Sequence, residues 1–136
     1  MVAPQRSANM NVMVKAVEKA GRALIRDFGE LEKLQVTRKG VGDFVTQSDY
    51  KSEKILVEEL QKARPDFGFL LEEGGEIKGK DADHVWVIDP VDGTTNFMHG
   101  IPFWAISLAL VYKNKPIAGI VFNPITDEMY WAERGK

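Results

Sequence analysis

The chain has 136 residues, 44% of them hydrophobic and 28% charged, an ordinary balance for one globular domain with its own core. Eighteen Lys and Arg stand against twenty Asp and Glu, and no general polyanion-binding surface follows from this net charge of −2. The absence of cysteine excludes disulfides, thiolate metal sites, iron–sulfur clusters and cysteine nucleophiles.

From Ala8 to Leu31 the apolar residues Met13, Val17, Ala20, Leu24, Phe28 and Leu31 recur at intervals of three and four. That spacing predicts a long amphipathic helix, with Ser7 or Asn9 as N-cap and Gly29 near its end. Thr37 to Asp43, with two glycines and two cations, is expected to be an exposed loop. Thr46-Gln47-Ser48-Asp49 has the pattern of a capping box and predicts the start of a second helix, running through Ile55, Leu56 and Leu60 to Ala63. Pro65 stops it, because proline drives the preceding Arg64 out of helical geometry.

After Pro65 the period changes. Phe67 to Leu71 and Val85 to Ile88 are short apolar runs of the buried-strand type, and the charged, glycine-rich stretch Glu73 to Asp83 between them reads as a loop. Trp104 to Tyr112 alternates Ile106, Leu108 and Leu110 with the smaller Ala105, Ser107 and Ala109, as a strand with two different faces does. Asn114-Lys115 is expected to turn the chain into Ile117 to Phe122, and Pro124 to Asp127 to turn it into Met129 to Ala132. Helices first and hairpin-linked strands afterwards argue for an α+β fold.

The segment richest in chemistry is Asp89-Pro90-Val91-Asp92-Gly93-Thr94-Thr95, directly after the most apolar strand. Two carboxylates at i and i+3, without histidine or thiol neighbours, suit a hard cation such as Mg²⁺. The N–H groups of Gly93, Thr94 and Thr95 are free to face an anion, as at a phosphate-ester site. An Asp-Pro-x-Asp-Gly string is also a good type I turn, and on its own it supports that plainer reading. Glu72, Glu73 and Asp49 also stand at the expected ends of elements, as solvated strand ends and a helix cap or as further members of one acidic site.

The run Asp89 to Phe97, with Leu71-Glu72-Glu73-Gly74 and Asp43-Phe44-Val45-Thr46-Gln47-Ser48-Asp49 before it, resembles the inositol monophosphatase family, its bacterial members above all. Three motifs occur in the family's order, and the likeness extends from about Met10 to Lys136. It implies two N-terminal helices packed on a mainly antiparallel sheet, the first half of an αβαβα sandwich. It implies that Glu73 binds a first Mg²⁺, Asp89 bridges it to a second, Val91 lends a carbonyl to the first, and Asp92 binds the second. Thr94, hydrogen-bonded to Asp49, would position the attacking water, while Asp92, Gly93, Thr94 and Thr95 meet phosphate or substrate.

The implied activity is hydrolysis of inositol 1-phosphate or a similar polyol phosphate, with two or three Mg²⁺ ions and sensitivity to lithium. Fructose bisphosphate, histidinol phosphate and phosphoadenosine phosphate are the alternatives within the fold. Family members are roughly twice as long, and their later Trp-Asp motif is missing here, so residues 1–136 are expected to be an N-terminal metal-binding portion, inactive alone. A reading of another class is a regulatory binding protein that meets the transcription and RNA-processing machinery through protein contacts. The expected partners are the small substrate and a second copy in a homodimer, without direct contact to nucleic acid or membrane. Ile101 to Tyr112 is too short and too interrupted by Pro102 to span a bilayer, and Met1 to Asn9 has no signal-like apolar stretch, so a cytoplasmic location is expected.

Overall fold

In the computed structural model, which describes residues 5–35, 40–72 and 74–136, the chain opens with helix α1 (Ala8–Gln35). Ser7 caps it, its hydroxyl accepting from the Met10 amide at 3.0 Å, and the same hydroxyl donates to Glu133 near the other end of the chain. The expected stripe is the buried one: Met13, Val17, Ala20, Leu24 and Leu31 are all in the core.

Helix α2 (Val41–Ala63) begins earlier than the capping-box pattern predicts. Gly40, in the left-handed region at φ 93°, precedes it, and its carbonyl accepts from the Phe44 amide at 2.8 Å. Thr46 turns its hydroxyl back onto the Gly42 carbonyl at 3.0 Å, as a threonine inside a helix does. Ser48 and Asp49 are therefore buried interior residues rather than caps. Of the expected loop, residues 37–39 lie outside the described residues, and Val41 to Asp43 are helical. The far end falls where Pro65 requires it, with Arg64 at φ −134° and ψ 75°.

The strands are β1 (Phe67–Leu71), β2 (Gly75–Ile77), β3 (Asp81–Asp92), β4 (Ala105–Tyr112), β5 (Lys115–Asn123) and β6 (Glu128–Glu133), with the short helix α3 (Thr94–Met98) between β3 and β4. They form one sheet in the order β2-β1-β3-β4-β5-β6, in which only β1 and β3 are parallel. The stretch expected to be a loop contains β2, paired to β1 with Phe69 opposite Ile77. The β4–β5 hairpin turns at Lys113 and Asn114, both left-handed at φ 49° and 66°, one residue before the predicted pair.

Both long helices lie on one face of the sheet, over Phe69, Trp86, Ile88, Ile106, Leu108, Leu110 and Ile120. Phe28 of α1 joins Phe97 and Trp104 in an aromatic cluster, its ring centroid 5.5 Å from each, which anchors α3 under the helices. The opposite face carries Leu70, Val121 and Tyr130, exposed by 50, 43 and 64%. No helix among the described residues is long and apolar enough to cross a membrane.

Gly21 lets α1 approach the sheet. A Cβ there would lie 2.8 Å from Phe122 Cε2 and 3.1 Å from Pro124 Cβ. Alanine gains about 1 kcal/mol of helix propensity over glycine, whereas overpacking a core typically costs about 1–3 kcal/mol. Gly21→Ala is expected to lose about 1 kcal/mol net, read as a lower urea midpoint at unchanged slope.

Candidate active site

The site is built where β3 leaves the sheet. Asp89 stands opposite Ser107 and Asp92 opposite Ala105, so β3 carries one extra residue and bulges between the two acids. Pro90 fits there because a bulge asks for no ladder N–H. Gly93 then turns the chain into α3 at φ 92°, and a Cβ on it would lie 3.1 Å from the Phe103 carbonyl oxygen. The Asn96 amide donates to that same carbonyl at 2.8 Å and closes the loop that follows α3.

All the expected site residues except Glu73 have a described place. Asp89 is half-buried at the bulge, Asp92 and Thr95 are exposed, Val91 is buried, and Gly93 and Thr94 are half-buried. Asp49 lies on the buried side of α2. The Thr94 hydroxyl, expected to turn toward Asp49, donates its proton to the Val91 carbonyl at 3.0 Å. Glu73 lies outside the described residues. Among the described residues, the acid that meets Asp89 is Glu72: its carboxyl is within hydrogen-bonding range of Asp89. The pleat explains why. Leu71 and Ile88 are register partners on parallel strands and both face the helices, so the next residues, Glu72 and Asp89, turn together to the other face.

Burial, then the hydrogen bond and charge of Glu72, then the charge of Asp92, push the Asp89 carboxyl up to about 7, against a small opposing effect of the Val91 amide. Its Oδ1 is buried with no hydrogen-bond partner. Glu72 and Asp89 also border a hollow of about 310 Å³ on the open sheet face, with Leu70, Val87 and Ser107. Among the described residues no three His, Asp or Glu close into a full ligand set. A pair of carboxylates with a buried oxygen lacking a donor nevertheless fits Mg²⁺, which keeps several waters and takes one or two carboxylates plus substrate phosphate.

The sign of the Asp89 shift gives a test. In the unfolded chain this carboxyl ionises near the ordinary value of about 3.9. Between there and about 7 the folded state holds a proton the unfolded chain lacks, so this group's contribution to stability falls as pH rises through that window. A cation must displace the proton. Mn²⁺ affinity, measured by calorimetry, is expected to rise about tenfold per pH unit below about 7 and to level off above it.

The family model for the inositol monophosphatase family matches residues 6–136. The chain belongs to the inositol monophosphatase family. It is 61% identical to an inositol-1-monophosphatase of Rhizobium meliloti over 130 residues, which are 96% of this chain and 49% of that protein. It is 39% identical to a Nus factor SuhB of Haemophilus influenzae over 127 residues, 93% of this chain and 48% of that one. Among solved structures, the extragenic suppressor protein suhB of Bartonella henselae aligns with a TM-score of 0.84 at 55% identity, covering 95% of this chain and 49% of the other. The α+β architecture is thus that of this family, and the chain spans about half the length of the curated relatives it matches.

Proposed function

We propose that residues 1–136 are the metal-binding portion of a phosphomonoesterase that hydrolyses inositol 1-phosphate or a similar polyol phosphate. The observation that carries this reading is the Asp89 carboxyl, held among like charges with a buried oxygen that no donor reaches. Glu72, Asp89, Asp92 and the Val91 carbonyl would hold Mg²⁺, with Glu72 in the role that the resemblance gave to Glu73. The Val91 carbonyl already accepts from Thr94, and its second lone pair leaves it able to do both. When bound, the cation supplies Lewis acidity to water and to a phosphoryl oxygen.

The chain's own residues do the rest. Thr94, at the first position of α3, and Asp49 orient the attacking water, and the Asp49 carboxylate accepts its proton. The amides of Gly93, Thr94 and Thr95 meet the phosphate oxygens, since first-turn N–H groups have no partner within a helix. The proposal includes a homodimer in the cytoplasm. Full-length protein given inositol 1-phosphate and Mg²⁺ is expected to release inorganic phosphate, and EDTA to stop it. No release from inositol 1-phosphate, fructose bisphosphate, histidinol phosphate or phosphoadenosine phosphate would sink the reading.

The relatives named Nus factor SuhB favour a second reading, a regulatory contact with proteins of the transcription machinery. It does not need the carboxylates. Asp89→Asn would silence the phosphatase and leave such binding intact.

A further inference from the structure

We propose that Ser52 is a positioning residue of this site: its hydroxyl holds the Asp89–Asp92 bulge in the shape that aims the acids, a role that rests on the metal-dependent phosphatase reading above.

Ser52 is fully buried on α2, and its hydroxyl donates to the Pro90 carbonyl at 3.0 Å. Pro90 lies inside the bulge, where neither it nor Val91 has a residue opposite it on β4. Its carbonyl is therefore outside the regular ladder and needs a donor from elsewhere. A serine inside a helix ordinarily bonds back to the carbonyl four residues earlier. Thr46 of the same helix does this, onto Gly42. Ser52 instead crosses to another element.

The two carbonyls of the bulge are clamped by two hydroxyls. Pro90 accepts from Ser52 and Val91 accepts from Thr94. The clamp acts on the segment that carries both Asp89 and Asp92. Helix α2 is a firm base for it. Ser48 donates to buried Asp27 of α1 at 2.8 Å, and Lys51 reaches the same carboxylate at 3.1 Å. On the following turn, Glu53 brings its Oε1 to 3.0 Å from where a Cβ on Gly74 would sit, against the turn behind Glu72. Asp49, one helical turn before Ser52, rides on the same bar. One hydroxyl thus fixes the distance between the water-orienting acid and the metal-holding bulge.

The test uses full-length protein with Mn²⁺ as probe, followed by electron paramagnetic resonance, in Ser52→Ala, Ser52→Cys, Ser52→Thr and Asp89→Asn. Cysteine keeps the size of serine with a weak donor, and threonine keeps the hydroxyl. Near-ultraviolet dichroism of buried Trp86 and Trp104 checks that each variant is folded. Alanine and cysteine are expected to weaken Mn²⁺ binding about 10–100-fold and to broaden its spectrum, and threonine to restore both. Native Mn²⁺ affinity in folded Ser52→Ala or Ser52→Cys, with binding lost in Asp89→Asn, would overturn the positioning role and leave the metal site standing. Native affinity in Asp89→Asn would overturn the metal reading itself and the role with it. If alanine and cysteine both prevent folding, Ser52 is a folding residue and the positioning role falls.

Discussion

Asp89→Asn is expected to abolish divalent-cation binding, to lower kcat/KM of the full-length enzyme by about 10³-fold, and to stabilise the cation-free protein at pH above about 7. The first two effects follow from chemistry: an amide keeps the shape of the carboxylate but carries no charge to hold a hard cation. A loss of about 10³-fold corresponds to about 4 kcal/mol of transition-state stabilisation, within what a bound cation supplies. The third effect follows from the environment. The native carboxyl is raised to about 7 by burial, by Glu72 and by Asp92, so ionising it strains the folded state. An asparagine removes that repulsion and can donate an N–H to Glu72. The melting temperature of the cation-free variant should therefore exceed the native one at pH 8 and approach it at about pH 5, where native Asp89 is protonated. Saturating Mg²⁺ should reverse the order, because only the native protein gains from binding. A variant that bound Mn²⁺ and turned over substrate at native rates would remove Asp89 from the site. Opposite movements of activity and stability are what a functional acidic cluster predicts and an ordinary turn does not.

The fold was legible wherever side chains set it. The three-and-four spacing of Met13 to Leu31 became the buried stripe of α1, and the alternation from Ala105 to Leu110 became the two faces of β4. It was illegible where the backbone decides. Strand β2 is Gly75-Glu76-Ile77, a string with no apolar period, and it exists because the edge of β1 offers hydrogen bonds to anything that turns back. The start of α2 was misread because Thr46 to Asp49 have the residue types of a cap. Thr46 and Gln47 are instead exposed mid-helix residues, Ser48 and Asp49 are buried ones with Ser48 bonded to Asp27 of α1, and α2 begins at the turn made by Gly40. The place of Glu72 beside Asp89 could have been read from period two alone. The acid directly after the last inward-facing residue of β1 must turn to the side that Asp89 occupies. Ser52 left no such trace, because nothing in a sequence reports that a helix serine reaches a carbonyl 38 positions away.

Thr94→Ala is expected to lower kcat of the full-length enzyme by about 10²–10⁴-fold, with a much smaller change in KM. The hydroxyl is already in use: it donates to the Val91 carbonyl at 3.0 Å, which fixes the direction of its lone pairs. Those lone pairs are what can accept from an attacking water, so the hydrogen bond donated to Val91 serves the positioning of the water. Alanine removes the acceptor and also leaves the Val91 carbonyl without this donor, at a residue only 3% exposed. Two effects then have to be separated. Loss of the tie to Val91 should cost about 1–3 kcal/mol of stability and loosen the turn into α3, visible as a lower melting temperature. Loss of water orientation acts only in the transition state, so it appears in kcat while the phosphate, held by the backbone amides of the same turn, still binds. Thr94→Ser keeps the hydroxyl without the methyl and should recover most of kcat. Thr94→Val keeps the shape without the hydroxyl and should not. If Thr94→Ala turned over at the native rate, or if serine failed to rescue a correctly folded variant, the hydroxyl would be a turn residue only and the water would have to be oriented by Asp49 alone.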